Sequence, residues 1–382
     1  MEPPSSPASA SPCDEAGLYQ HLVDAHCHIH EDLDFSPACW ATLDRLQTRH
    51  LAVMGWRESN WDHLERLLES PWNGRQDTLA SPSTARPGHI GGQTALTAPT
   101  NDTDALAVHG RILPGFGLHP WATEPTVAQG PQGDRILCPP SSDPITPFVL
   151  PVELQAVLDA MPWLGRLRRL LERYPQAIVG EIGLDRLAVD LSTQKLYDYP
   201  CQTLVFVRQW DLAIEYGRPV SVHCVKAADP LYKWVRERVQ TYRRTLKQRK
   251  QRRAHPDGPA ARENEDLTDP VPVRVMMHSY SGSVDILRQI LKLPGGYGRR
   301  FYFSFSATIN ARSPQTNARM AAVPLDRLLI ETDVCDPAEV DHNMLTIARR
   351  MAQVKELPLD QMVKQLRLNS AEFFRVADPT PT

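Results

Sequence analysis

The chain has 382 residues, 42% of them apolar, and a formal net charge of −3, a balance that suits a globular protein with core volume for one large barrel or two ordinary domains. So even a charge balance excludes a global electrostatic attraction to nucleic acid or to a membrane surface, and no run of about 18 apolar residues reads as a membrane span. Seven cysteines without a CxxC pair point to a reducing compartment, which leaves cytoplasm or nucleus as the expected location.

Residues 1–20 open Pro/Ser/Ala-rich and read as a disordered tail. Leu22-Val23-Asp24-Ala25 then runs as an apolar strand into His26-Cys27-His28. Residues two apart on a strand share a face, so His26 and His28 project together, with Cys27 opposite. Taken alone, that pair reads either as two metal-binding imidazoles or as a His-rich surface turn. Phe35 to Gln47 reads as helix, Leu51 to Gly55 as strand, and Trp61 to Glu69 repeats apolar residues at helical spacing. Arg111 to Gly117 is a third strand, leading into Leu118-His119-Pro120-Trp121. Val152 to Tyr174 reads as helix, broken near Pro162, and Ala177 to Gly180 as a strand that runs into Glu181-Ile182-Gly183-Leu184-Asp185.

Gln202 to Tyr216 is an amphipathic helix, Pro219 to Val222 a strand ending at His223, and Asp229 to Gln251 a helix whose second half is basic. Val271 to Met277 is a strand ending at His278, and Ser283 to Lys292 a helix with Ser281 or Ser283 as its N-cap. Phe301 to Ser304 and Leu328 to Ile330 are the last strands, with a short helix, Gln315 to Ala322, between them. Helices His342 to Lys355 and Leu359 to Phe374 close the chain. The 34 prolines, about 9% of the chain against a usual ~5%, gather between these elements. The domain reading is therefore one barrel, 21–376, with low-complexity insertions at about 71–108, 122–150 and 237–271.

Eight short strands, each apolar on both faces and most followed by a helix, predict an α/β fold closed as a (β/α)8 TIM barrel. The alternative is an open doubly wound sheet, which the absence of a GxGxxG or GxxxxGK[ST] turn makes the weaker one. Candidate ligands fall just past the strand ends: His26 and His28, His119, Glu181, His223, His278 and Asp333. In a barrel those ends open on one face. Four histidines with Glu181 and Asp333 exceed the needs of one ion and suit two divalent ions about 3.5–4 Å apart, bridged by a carboxylate. Imidazole favours Zn, Mn, Co or Ni, and carboxylate with water accepts Mg. Such a pair generates a hydroxide nucleophile at neutral pH and suits hydrolysis. Each residue also has a structural reading: a core histidine, a helix-terminal charge for Glu181, an N-cap for Asp333. His119 reads equally as a turn residue or as a group behind the ligands. The basic run Arg243 to Arg253 reads either as a phosphate-tracking or nuclear-address segment or as a solvated helix end paired with Glu263, Glu265 and Asp266.

At these residues the chain resembles the TatD family of metal-dependent hydrolases, TIM barrels of the metallo-dependent hydrolase type. The matching segments are DAHCHIH at 24–30, GLHP at 117–120, GEIGLD at 180–185, Pro219 with His223, HSYSG at 278–282, ETD at 331–333 and Asn369 to Phe374. The resemblance implies His26, His28, Glu181, His223, His278 and Asp333 as metal ligands, with Glu181 bridging two divalent ions (Mg²⁺, Mn²⁺ or Zn²⁺) and with Glu181 and Asp333 as catalytic groups. It implies a deoxyribonuclease, often of the 3′–5′ exonuclease type, with DNA as substrate. His119, Asp185 and Lys226 are then candidates for substrate contact, Lys226 standing next to Val225, which occupies the family's usual Arg position. The proline-rich insertions look similar to fungal TatD-like proteins, one branch of which is described as interacting with an anaphase-promoting-complex component. A protein partner reached through the insertions is the corresponding expectation. Two rivals stay open: hydrolysis of a small ester, amide or lactone at the same metal site, and a partner-binding protein that keeps the barrel.

Overall fold

The computed structural model describes residues 17–31, 33–74, 110–123, 160–253 and 267–375. Eight strands alternate with helices along the chain: β1 (Val23–Cys27), α1 (Pro37–Leu43), β2 (His50–Gly55), α2 (Trp61–Leu68), β3 (Ile112–Phe116), α3 (Pro162–Arg173), β4 (Ile178–Asp185), α4 (Tyr199–Glu215), β5 (Val220–Val225), α5 (Ala228–Arg253), β6 (Val275–Met277), α6 (Val284–Leu291), β7 (Phe301–Ser306), α7 (Thr316–Ala322), β8 (Leu328–Glu331), α8 (Val340–Lys355) and α9 (Leu359–Phe374). Each strand pairs in parallel with the next, from β1 to β8. The ring closes between its first and last strands. Asp333 donates its backbone N–H to the His26 carbonyl at 2.9 Å, and His28 to that of Val334 at 2.9 Å. The expected (β/α)8 barrel is the fold observed.

Two apolar layers follow from the period of the strands. Val23, Ala25, Ala52, Met54, Leu113, Ile178, Met276, Tyr302 and Leu329 form a cluster along the barrel axis. Phe373 and Phe374, at the end of α9, join that cluster. The larger layer lies between strands and helices and includes Cys27, Val53, Ile182, Leu184, Trp163, Trp210 and Trp234. Val23 and Ala25 thus face inward whereas Cys27, two residues on, faces outward. A register irregularity between Asp24 and Cys27 makes the change of phase and turns His26 and His28 to the axis. β4 repeats the device: Ile178 is inward, Ile182 and Leu184 outward, with an irregularity between Val179 and Ile182 that spans Glu181. Bulges of this kind re-aim side chains beside functional sites. Gly183 keeps the next strand close, since a Cβ there would lie 2.0 Å from the His223 carbonyl oxygen.

Several element bounds differ from expectation for local reasons. Phe35 has φ 57, so α1 starts at Pro37, with the Ser36 side chain capping the Cys39 N–H. Helix α3 starts at Pro162, a residue that suits a first turn; the expected part before residue 160 lies outside the described residues. β6 is confined to Val275–Met277, because Pro272 offers no N–H for a ladder bond. Ser283, not Ser281, caps α6 by accepting from Ile286 N–H. A short antiparallel hairpin, Val189–Asp190 with Lys195–Leu196, follows β4 unannounced. Of the expected tail, Leu18 and Tyr19 pack on the core and Tyr19–His21 is a 3-10 turn. Residues 237–253 of the third expected insertion are helix, and 75–109, 124–159 and 254–266 lie outside the described residues. Among the described residues no helix is long and apolar enough to cross a membrane.

Asp24 locks the ring. Wholly buried, it accepts from His26 N–H at 3.1 Å, from Thr332 N–H at 3.0 Å and from the Thr332 hydroxyl at 2.6 Å. Burial pushes its carboxyl up to about 7 against the pull of those bonds. Asp24→Ala leaves three buried donors unsatisfied and is expected to lower unfolding free energy by about 2–4 kcal/mol. Asp24→Asn, which still accepts, should cost clearly less; urea titration of both variants checks the ranking.

Candidate metal centre

The strand ends deliver their side chains to one point. Glu181, buried, turns one carboxylate oxygen to each of two groups. Its Oε2 lies 3.4 Å from His26 Nε2 and 3.2 Å from His28 Nε2. Its Oε1 lies 2.8 Å from His278 Nε2, 3.0 Å from His223 Nδ1 and 3.3 Å from His119 Nε2. Asp333 joins the first group, with Oδ1 3.4 Å from His28 Nε2 and 3.8 Å from His26 Nε2. Asp333 holds φ 58, a conformation uncommon outside glycine. Ser279, just past His278, and Lys226, just past β5, also have positive φ, so the chain turns sharply where it leaves the ligand-bearing strands.

Hydrogen bonding on the far side of each ring decides which nitrogen is free. His28 Nδ1 lies 3.0 Å from the Met54 carbonyl, which can only accept, so Nδ1 carries the proton and Nε2 keeps its lone pair. His278 Nδ1 faces the Glu331 carboxylate at 3.4 Å and His223 Nε2 faces Asp185 Oδ2 at 3.2 Å. Their lone pairs therefore sit on Nε2 and Nδ1, the atoms beside Glu181. His26 Nδ1 is held by the Ser221 hydroxyl at 2.8 Å. His26 Nε2 and His28 Nε2 are 3.2 Å apart. Two ring nitrogens converging at that distance fit a shared cation, and imidazoles steered by carboxylates and carbonyls are how proteins prepare nitrogen ligands. His119 differs. Its Nδ1 accepts the Trp121 N–H at 3.2 Å, so its Nε2 bears the proton and donates to Glu181 Oε1. Its ring is ill-suited to be a ligand in this state.

The acids and the rings of the centre answer one another's charge. Burial by itself would raise the Glu181 carboxyl, yet the surrounding His119, His278 and His26 hold it well below the usual carboxylate range. Burial likewise opposes ionisation of Asp333, and its bond to His28 and the nearby His278 and His26 bring it below its ordinary value. Burial would lower His28, His223 and His278, but the same carboxylates, with Asp185 and Glu331, raise all three. Burial dominates at His119, which falls to about 4, consistent with a neutral donor. Three combinations of donor atoms are close enough to hold an ion: His26, His28 and Asp333; His26, Glu181 and His278; His119, Glu181 and His223. The residues present fit divalent metal, Glu181 belonging to two of the three sets, with His119 as a donor beside them.

The six expected ligands thus converge. The expected substrate contacts do not behave alike. Asp185 is buried and fully engaged: Oδ2 binds His223 and accepts Trp121 Nε1–H at 3.0 Å, and Oδ1 accepts from Leu187 and Ala188 N–H. Its bonds outweigh burial and bring it down to about 2. It orients His223. Lys226 stands exposed on the rim, away from the cavity. That cavity, about 210 Å³, is lined by His28, Glu31, Trp56, His119, Trp121, Glu181, His223, Asp333 and Cys335. Sequence reasoning passed over Glu331, a wholly buried carboxylate that also accepts from Ser279 N–H at 2.8 Å and from the Ser304 hydroxyl. An acid ending the apolar run Leu328-Leu329-Ile330 was its available signal. Trp56 and Trp121 also line the cavity, Trp121 44% exposed at its mouth.

Comparison with known proteins agrees with this geometry. A family model described as "TatD related DNase" matches residues 23–375. The fission yeast protein named "Cut9-interacting protein scn1" is 26% identical, covering 94% of this chain and 99% of its own. A budding yeast protein named "Uncharacterized deoxyribonuclease YMR262W" is 24% identical over 82% of this chain and 83% of its own. Among solved structures, the TatD homologue YJJV from Escherichia coli superposes with a TM-score of 0.54 at 18% identity, covering 93% of this chain and 98% of that one.

The Asp185 bond to His223 has a measurable weight. Asp185→Ala is expected to weaken divalent-metal affinity about 10–100-fold, the usual cost of losing a carboxylate behind a ligating imidazole. Calorimetric titration with Mn²⁺ or Zn²⁺ reads it, with circular dichroism as the check on folding.

Proposed function

We propose that this chain, which belongs to the TatD related DNase family, is a metal-dependent nuclease that hydrolyses phosphodiester bonds at the end of a nucleic acid strand, DNA first among its substrates and attack from the 3′ end the expected polarity. The observation that carries the reading is Glu181, one carboxylate divided between two sets of ring nitrogens. Bound divalent cations would supply Lewis acidity there, acidifying water and neutralising charge on the phosphate. His26, His28 and Asp333 would hold one, His223 and His278 the other, and Glu181 both.

The chain's own groups then divide the work. Asp333 is ionised at neutral pH and stands at the mouth, so it takes the proton of the attacking water as oxygen bonds to phosphorus and the bond to the leaving oxygen breaks. His119, uncharged, gives its one N–H to Glu181 Oε1 and so steadies the central carboxylate without competing for a cation. Trp121 supports a nucleotide over a plain ester. Its indole N–H is pinned to Asp185, its edge meets His119 at 4.7 Å between ring centroids, and it remains part exposed. A rigid aromatic at the mouth is a stacking surface for a base. The size of the cavity, below the usual ~300 Å³ of ligand pockets, favours a second reading, hydrolysis of a small ester or amide at the same centre. The name of the fission yeast relative supports a protein partner, which is compatible with either.

The purified protein is expected to degrade single-stranded DNA, double-stranded DNA or RNA when given Mg²⁺, Mn²⁺ or Zn²⁺, and Glu181→Ala to lose on the order of 10³-fold or more of that rate. Cleavage of small esters with no action on any of the three polymers would transfer the assignment to the second reading. Trp121→Ala should raise KM by about 5–150-fold, the range for one lost base stack, with kcat little changed, and Trp121→Phe should recover most of the loss.

A further inference from the structure

Helix α5 is 26 residues long, about 39 Å at 1.5 Å per residue, against about 20 Å for the six-residue strand β5 that precedes it. Its first half packs on the barrel through Leu231, Trp234, Val235 and Val239, all buried. Its Tyr242 meets Tyr297, in the turn before β7, at 6.5 Å between ring centroids. That turn lies at the end of the barrel opposite the metal centre. Beyond Val239, Tyr242, Thr245, Leu246 and Arg249 form a half-buried stripe and the other residues as far as Gln251 are exposed, so the helix continues as an arm with an open outer face, reaching about 20 Å beyond Val239 by Arg253.

The arm is a line of positive charge. No Asp or Glu occurs from Arg238 to Arg253, and Arg243, Arg244, Lys247 and Lys250 are exposed. On the packed half, Lys233 pairs with Asp229 at 2.8 Å and Arg238 with Asp211 at 2.6 Å. On the arm, like charges recur three and four residues apart, a spacing at which they face and repel one another. Favourable interaction with the helix dipole is limited to the last turn, whereas the run begins well before it. A helix whose outer face carries a self-repelling row of cations gains from an external row of negative charge at matching intervals.

We propose that this arm is a docking surface for the phosphate backbone of a nucleic acid strand, remote from the metal centre. The choice of nucleic acid among polyanions rests on the nuclease reading above. One cation per helical turn, at 5.4 Å pitch, presents a ladder of charge to a flexible strand, and such contacts bind phosphates without reading sequence. The arm and the mouth stand some 30–40 Å apart by helix and strand dimensions. A strand must therefore be about ten nucleotides long, at 3.4 Å each, to touch both, and the arm serves to retain long substrates without touching short ones.

The test compares the full chain with a variant carrying Arg243→Glu, Arg244→Glu, Lys247→Glu and Lys250→Glu, and with a milder one carrying Gln at the same four positions. Fluorescence anisotropy in EDTA reads binding of a labelled 30-nucleotide and a 6-nucleotide single strand from 50 to 200 mM KCl. The Glu variant is expected to bind the 30-mer at least tenfold more weakly at 50 mM, with a salt slope shallower by about 2–3, the Gln variant to fall between, and the 6-mer to be little affected. Thermal unfolding of both variants should match the parent, since the four substituted side chains are exposed and the Tyr242 contact with Tyr297 is kept. Unchanged 30-mer affinity and slope would overturn the proposal, as would an equal loss on both oligonucleotides or stronger retention of phosphatidylserine vesicles than of the 30-mer through the arm. Hydrolysis is scored separately: a protein that binds the 30-mer through the arm and cleaves nothing would end the nuclease reading and leave the docking assignment intact.

Discussion

One buried carboxylate governs the architecture of this molecule. Glu181 lies within 3.4 Å of nitrogens from five imidazoles, carried by β1, β5 and the segments after β1, β3 and β6. A carboxylate in that position is stable only if its charge is answered from all sides, and each ring must therefore be aimed to within a few tenths of an ångström. The supporting residues are explained by that demand. Ser221, the Met54 carbonyl, Asp185 and Glu331 each occupy the rear nitrogen of one ring and leave the front one committed to the centre.

The aim is obtained by breaking the regularity of the strands. A uniform β1 would have kept Ala25 and Cys27 on the same face and sent His26 outward; the irregularity after Asp24 reverses this. The one around Glu181 does the same for β4. Glycines permit the resulting close approach, Gly183 against the His223 carbonyl being the tightest case. Order in the barrel and disorder of phase in two of its strands are thus parts of the same solution.

Much of this was legible in the chain. Apolar runs of strand length, six of the eight followed by His, Glu or Asp, marked both the barrel and the rim, and the pairing of His26 with His28 opposite Cys27 came from strand periodicity alone. The bulges were not legible, because a change of phase within five residues leaves no periodic trace. Nor was the work of Asp185, a candidate for substrate contact; its partners, His223 and the Trp121 indole, come from distant segments. His119, read from the sequence as a turn residue or a group behind the ligands, owes its protonation pattern to the Trp121 N–H on its Nδ1, a contact two residues away that depends on the local turn. The bounds of α1 and β6 moved through single residues, Phe35 with its left-handed backbone and Pro272 with its missing donor.

The seam between β1 and β8 has a further meaning. His26 and His28 stand on one side of it and Asp333 on the other, and Asp24 and Thr332 stitch it shut. Half of the donor set is therefore assembled from the two extremes of the ring and does not exist in any partial arc of strands. Cation capture and completion of the fold become one thermodynamic event: an ion that binds the closed ring and not the open chain deepens the native state by RT ln(1 + [L]/Kd), and a loosened seam would release its metal before the rest of the barrel comes apart.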